Sequence, residues 1–123
     1  MSKFGNKKVK TPDGEFDSKR EYQRWQELKL LAKAGKIHDL MRQVSFELIP
    51  AQYERFEKYS KKTGKRLKDG IRCLEQSCVY IADFVYWEDD TMVVEDAKGH
   101  RTEGYIIKRK LMLKVHGVRI REV

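Results

Sequence analysis

The chain reads as a single α/β domain, a central mixed sheet flanked by helices in the order α-β-β-β-α-β. Three observations predict it. Residues 18–34 form a capped amphipathic stretch, and two apolar runs, 79–87 and 91–97, flank the acidic turn Glu88-Asp89-Asp90. A second capped stretch over 102–115 is then followed by the alternating run 118–123. At 123 residues the chain is long enough for one core and too short for two. Its 40% hydrophobic and 11% aromatic content suits globular folding, and 37% charged residues imply a heavily solvated surface.

Residues 1–10 are a basic arm whose lysines could touch phosphate, and Thr11-Pro12-Asp13-Gly14 is a turn that lets Val9 and Phe16 flank a short hairpin. The first helix opens with Ser18-Lys19-Arg20-Glu21 as a capping box and stops at Gly35. Its apolar face is Tyr22, Trp25, Leu28, Leu31 and Ala32, and Glu21 borders that face one turn from the start. Across 37–50 an irregular start becomes a strand in which Val44, Phe46 and Leu48 alternate with Ser45, Glu47 and Ile49, and Pro50 ends it. Gln43 enters this strand as a minor candidate for contact with a phosphate or a metal-bound water.

Residues 51–72 form a basic insertion. Tyr53, Phe56 and Tyr59 have helical spacing, and a turn or loop follows with Lys61, Lys62, Lys65, Arg66 and Lys68 in close succession. A charge run is usually a solvated face, but one this dense could grip a nucleic-acid backbone. After the hairpin, Gly99-His100-Arg101 is a turn, and Thr102 caps a second helix whose expected inner side is Ile107, Leu111 and Lys114 or Val115. Lys108 falls near that side, as a snorkelling lysine or a phosphate contact.

The net charge of +8 speaks to partners and not to fold, and nucleic acid is the first candidate. Cys73 and Cys78 with three scattered histidines give no zinc-site spacing, and two free thiols suit a cytoplasmic protein. The sequence carries no signal peptide and no apolar run of membrane-spanning length.

Chemistry concentrates in the hairpin. Asp83 is one carboxylate inside an apolar strand, on the face of Val79, Ile81 and Val85. An unpaired charge there is costly. The second strand closes with Glu95-Asp96-Ala97-Lys98, and parity puts Asp96 and Lys98 on one face and Glu95 and Ala97 on the other. Two carboxylates with a lysine beside them suit Mg²⁺ or Mn²⁺ and a phosphate. The bland alternative is a satisfied core aspartate and a surface ion pair. A bulge would exchange Glu95 for Asp96, and His100 is a weaker alternative in the turn.

This layout resembles the PD-(D/E)xK nuclease superfamily, with Asp83 as the first acid and Asp96-Ala97-Lys98 as the (D/E)xK; Ala82 stands where the name has proline. The stretches FDSKREYQRWQELKLLAKAGKI, YIADFVY, VVEDAKG and YIIKRKLM resemble a family of small phage and prophage proteins of unknown function. The resemblance implies a restriction-endonuclease-like core in a bacterial or phage-infected cytoplasm. It also implies a Mg²⁺- or Mn²⁺-dependent endonuclease cutting DNA, with Glu21, Asp83 and Asp96 as ligands, Lys98 helping to activate water and Lys108 contacting phosphate. Glu21 is either that third ligand, as in the similar transposon-end and Holliday-junction nucleases, or the helix cap. The small size points to branched or nicked DNA in recombination or replication, and cutting a junction calls for a homodimer. Two alternatives stand beside it: a non-catalytic DNA-binding module that keeps the fold, its basic loop and arm supplying affinity without cleavage, and an RNA nuclease that uses the same residues.

Overall fold

A computed structural model describes residues 7–97 and 99–123. The basic arm therefore lies outside the described residues up to position 6, and Lys98 lies outside them as well. The described chain is mixed α/β and mostly strand. Backbone proximity divides it into two compact units, Met1–Phe46 with Tyr80–Val123, and Glu47–Val79.

The first unit opens with a hairpin, β1 (Val9–Thr11) and β2 (Gly14–Phe16), in which Val9 pairs Phe16 as the turn signal predicts. Gly14 sits at φ +114, a conformation open to glycine. Helix α1 (Lys19–Lys33) follows, with Ser18 as N-cap accepting from the Glu21 N–H at 3.1 Å. Next come β3 (His38–Ile49), β6 (Cys78–Glu88) and β7 (Thr91–Asp96), then α2 (Glu103–Leu111), a π-helical turn (Met112–His116) and β8 (Arg121–Glu122). The sheet order is β3-β6-β7-β8, with β6 and β7 antiparallel and β7 and β8 parallel, so it is mixed.

Leu28 of α1 packs with Ile37, Phe84, Tyr86 and Val93, and Trp25, Ala32 and Leu40 border this core. Trp25 stacks on Phe84 with ring centroids 6.0 Å apart. Tyr86 and Val93 face each other across the β6–β7 ladder, which explains why one face of the hairpin carries the helix. Val85 and Val94, paired on the other face, are buried too, so this hairpin is covered on both sides.

Three expectations change here. Leu31 is exposed, because α1 buries a narrower stripe centred on Leu28. On α2 the buried residues are Tyr105 and, beyond its end, Met112, while Ile107 and Val115 are exposed. The π-helical turn adds a residue per turn, so a 3.6-residue period cannot carry the face past Met112. The alternating tail 118–123 forms only the two-residue β8, held by Glu122, which accepts from the Tyr105 hydroxyl at 2.7 Å and from Arg101 and Arg109.

The second unit contains a β-ribbon, β4 (Gln52–Tyr59) against β5 (Arg66–Glu75), not the helical segment that Tyr53, Phe56 and Tyr59 suggest. A register shift between Phe56 and Lys58 breaks the alternation that would have announced a strand. The Phe56 ring lies over Gly70, where a Cβ would come within 2.3 Å of it, and Arg72 stacks on the same ring at 4.2 Å.

Candidate carboxylate site

The β6–β7 ladder runs from Glu88↔Thr91 to Phe84↔Glu95 and stops. Continued by one step, the register sets Asp83 opposite Asp96. There the Ala97 N–H donates to Asp83 Oδ2 at 2.9 Å, so a carboxylate takes the donor that a longer ladder would have used. No register shift occurs along this pair, and Glu95 and Asp96 therefore keep opposite faces. Both are buried, at 0% and 1% exposure.

Their surroundings separate them. Glu95 lies on the α1 side and receives a forked contact from Arg24, Nε to Oε1 at 2.6 Å and Nη2 to Oε2 at 2.9 Å, together with the Tyr86 hydroxyl. Burial, then the hydrogen bond to Glu95, pushes Tyr86 up to about 12. Glu95 is thus fully engaged in a buried ion pair. Asp96 accepts from the Tyr80 hydroxyl at 2.5 Å, and burial followed by that bond raises Tyr80.

Glu21, 2% exposed, reaches the same end of the sheet from α1. Its Oε2 accepts from the Asp17 N–H at 3.2 Å, and its Oε1 accepts from Gln43 Nε2 at 3.1 Å and lies 3.8 Å from Arg42 Nη2. Oε2 thus braces the residue before the N-cap Ser18 in place of the N-cap N–H that a capping box would use, while Oε1 faces Gln43. Gln43 Nε2 also lies 3.5 Å from Asp83 Oδ1, so its amide stands between two acids. Gln43 holds φ +55 inside β3, a left-handed conformation that costs a non-glycine residue roughly 1–3 kcal/mol.

The three acids feel one another. Burial first, then the Asp96 charge and hydrogen bond and the Glu21 charge, push Asp83 up to about 8. Burial also raises Glu21, with Asp17 and Asp96 adding to it and the Asp17 N–H and Arg42 opposing. Among the described residues no three Asp, Glu, His or Cys side chains form a ready metal-binding group. The donors present are hard oxygens, and Mg²⁺ is commonly held by one or two carboxylates with water and substrate phosphate completing the shell. Asp83 and Asp96 fit that requirement, and a divalent cation would relieve the repulsion that raises Asp83.

Of the other candidates, Lys108 is half-buried on α2. Lys61, Lys62, Lys65, Arg66 and Lys68 belong to the second unit, all exposed, with Arg66 paired to Asp69 at 2.9 Å. Sequence reasoning missed Tyr80, which strict alternation puts on the face away from Asp83. It also missed Arg24, whose only signal is its place one turn after Glu21 on α1.

Among the described residues no helix is long and apolar enough to cross a membrane. No curated protein and no solved structure matches the chain. A family match spans residues 1–122, and the chain belongs to the family described as "Protein of unknown function (DUF1064)".

Proposed function

We propose that this protein is a metal-dependent nuclease of PD-(D/E)xK type, hydrolysing phosphodiester bonds in DNA. The observation that supports this best is the meeting of Glu21, Asp83 and Asp96 at one end of the β6–β7 hairpin, with Asp83 pushed up to about 8 by burial and the charges around it. Buried acids set against each other need a proton or a cation. Asp83 and Asp96 are the residues that would hold a divalent ion, with Glu21 as the further acid. Such an ion supplies Lewis-acid charge and a more acidic water when bound. On the chain's side, the Ala97 N–H and the Tyr80 hydroxyl fix the two aspartates, and Gln43 orients Glu21 toward them. Lys98, two positions after Asp96, is the residue proposed to meet the developing phosphate charge.

A mixed sheet with α1 ahead of β3, β6 and β7 and α2 ahead of β8 is compatible with a restriction-endonuclease-like core, which supports the same reading. One observation favours a non-catalytic DNA-binding module instead: protein donors already meet the carboxylates, and among the described residues they form no ready three-ligand group.

The test is cleavage of a labelled four-way junction, its linear duplex and a matched RNA, with Mg²⁺ or Mn²⁺ and then EDTA. Wild type is compared with Asp83→Ala and Lys98→Ala. Metal-dependent cutting lost in both variants supports the nuclease, and the preferred strand defines its substrate. Binding by all three proteins with cutting by none supports the module.

A further inference from the structure

We propose that the cleft between β1 and the first turn of α1 is a second nucleic-acid contact, which holds the sugar-phosphate backbone of the strand presented to the carboxylates. This rests on the nuclease reading and names where its substrate lies. The cleft has a volume of about 650 Å³. Lys7, Lys8, Lys10, Lys19 and Arg20 line it, with no acidic side chain among the described lining residues. Lys8 pairs with Glu15 at 3.4 Å, while Lys7, Lys10, Lys19 and Arg20 form no ion pair among the described residues. Cations gathered on a concave surface with few counter-charges repel one another, and a polyanion relieves this.

Geometry favours a strand over a single small anion. Lys8 and Lys10 sit two residues apart on an extended chain, about 7 Å by strand rise, on the scale of successive phosphates. The opposite wall comes from Lys19 and Arg20, whose backbone N–H groups lie in the first turn of a 15-residue helix, where such donors have no intrahelical partner and favour anions. Ala97 and Gly99 close the cleft, and Ala97 is the residue whose N–H is bound to Asp83 and which follows Asp96. A backbone lying here reaches the end of β7, one residue beyond Asp96. Lysine and arginine side chains and helix N–H donors meet phosphate whatever the base, so the contact reads backbone and not sequence.

The experiment is fluorescence anisotropy of labelled oligonucleotides of unrelated sequences with the full chain in EDTA, titrated across a series of salt concentrations. Lys7→Gln, Lys10→Gln and Arg20→Gln are combined in one variant, and Lys61→Gln, Lys62→Gln and Lys65→Gln in a second. All six side chains are exposed, so neither variant threatens folding. The cleft variant is expected to weaken binding of every sequence equally, and to lower the slope of log K against log salt by about 0.7–0.9 per lost contact. An unchanged slope in that variant while wild type binds and cuts overturns the cleft and leaves the nuclease reading standing. Full displacement of the oligonucleotide by inorganic phosphate at constant ionic strength also overturns it, since the cleft would then be a simple anion site. No binding by wild type at low salt overturns both readings.

Discussion

Replacing Asp83 with Asn removes a group that can ionise at the inner end of the hairpin while keeping an oxygen for the Ala97 N–H. The consequence is a change in how stability depends on pH. In the folded chain the Asp83 carboxyl is raised from 3.8 to about 8, by burial first and then by Asp96 and Glu21. A group raised in this way holds its proton more tightly folded than unfolded, so its stabilisation is complete below 3.8 and is lost as pH rises toward 8. A tenfold change in proton affinity is worth about 1.36 kcal/mol, so the whole span is on the order of 5 kcal/mol. Urea denaturation in EDTA should show wild type losing stability between about pH 4 and about pH 8. Asp83→Asn should lose most of that slope and be the more stable protein at the alkaline end. If the folded acid pair takes the ion and the unfolded chain does not, Mg²⁺ added there should raise the wild-type midpoint by more than it raises that of the variant. Parallel stability curves for the two proteins, with and without Mg²⁺, would refute the reasoning.

Two further outcomes follow from the neighbouring contacts. Arg24→Met keeps the apolar stem but leaves the Glu95 carboxylate buried without its cation, so urea denaturation should show a loss of roughly 3–5 kcal/mol; a loss under about 1 kcal/mol would mean the pair is dispensable. Gln43→Gly should match or exceed wild type in stability by relieving about 1 kcal/mol of left-handed strain. It should nonetheless cut poorly, because the amide between Glu21 and Asp83 is gone; cleavage at the wild-type rate would exclude Gln43 from the site.

Local signals carried most of the fold. Ser18 at a cap, Gly14 in a turn and the Asp89-Asp90 link between two apolar runs each act within a few residues, and α1, the β1–β2 hairpin and the β6–β7 hairpin form where those signals place them. Signals failed where packing across the chain decides. Tyr53, Phe56 and Tyr59 share a helical spacing, but pairing with β5 and the accommodation of Phe56 over Gly70 make the segment a strand. On α2, Tyr105 is buried in place of Ile107, since its hydroxyl reaches Glu122 on β8, a residue seventeen positions away. The carboxylates were legible for a different reason: charge inside an apolar strand is costly, and so it announces itself. The groups that answer that charge were not, since Tyr80, Arg24 and the strained Gln43 are ordinary residue types at common spacings.

Adjacent residues Glu95 and Asp96 bear the same chemistry on opposite faces of one strand, and what meets the acids on each side differs. Glu95 receives a guanidinium fork from Arg24 and a hydroxyl from Tyr86, so its counter-charge is built into the fold. On the other side Asp83 receives the Ala97 N–H and the edge of the Gln43 amide, both neutral, and Glu21 has Arg42 only at 3.8 Å. Among the described residues, the donors to Asp83 fix its position without supplying a full counter-charge. A fold that needed the acids only for packing would be served better by the Arg24 arrangement, or by uncharged amides in their place. Orientation without neutralisation is what a site must offer if a cation from solution, and the phosphate that comes with it, is to complete the balance.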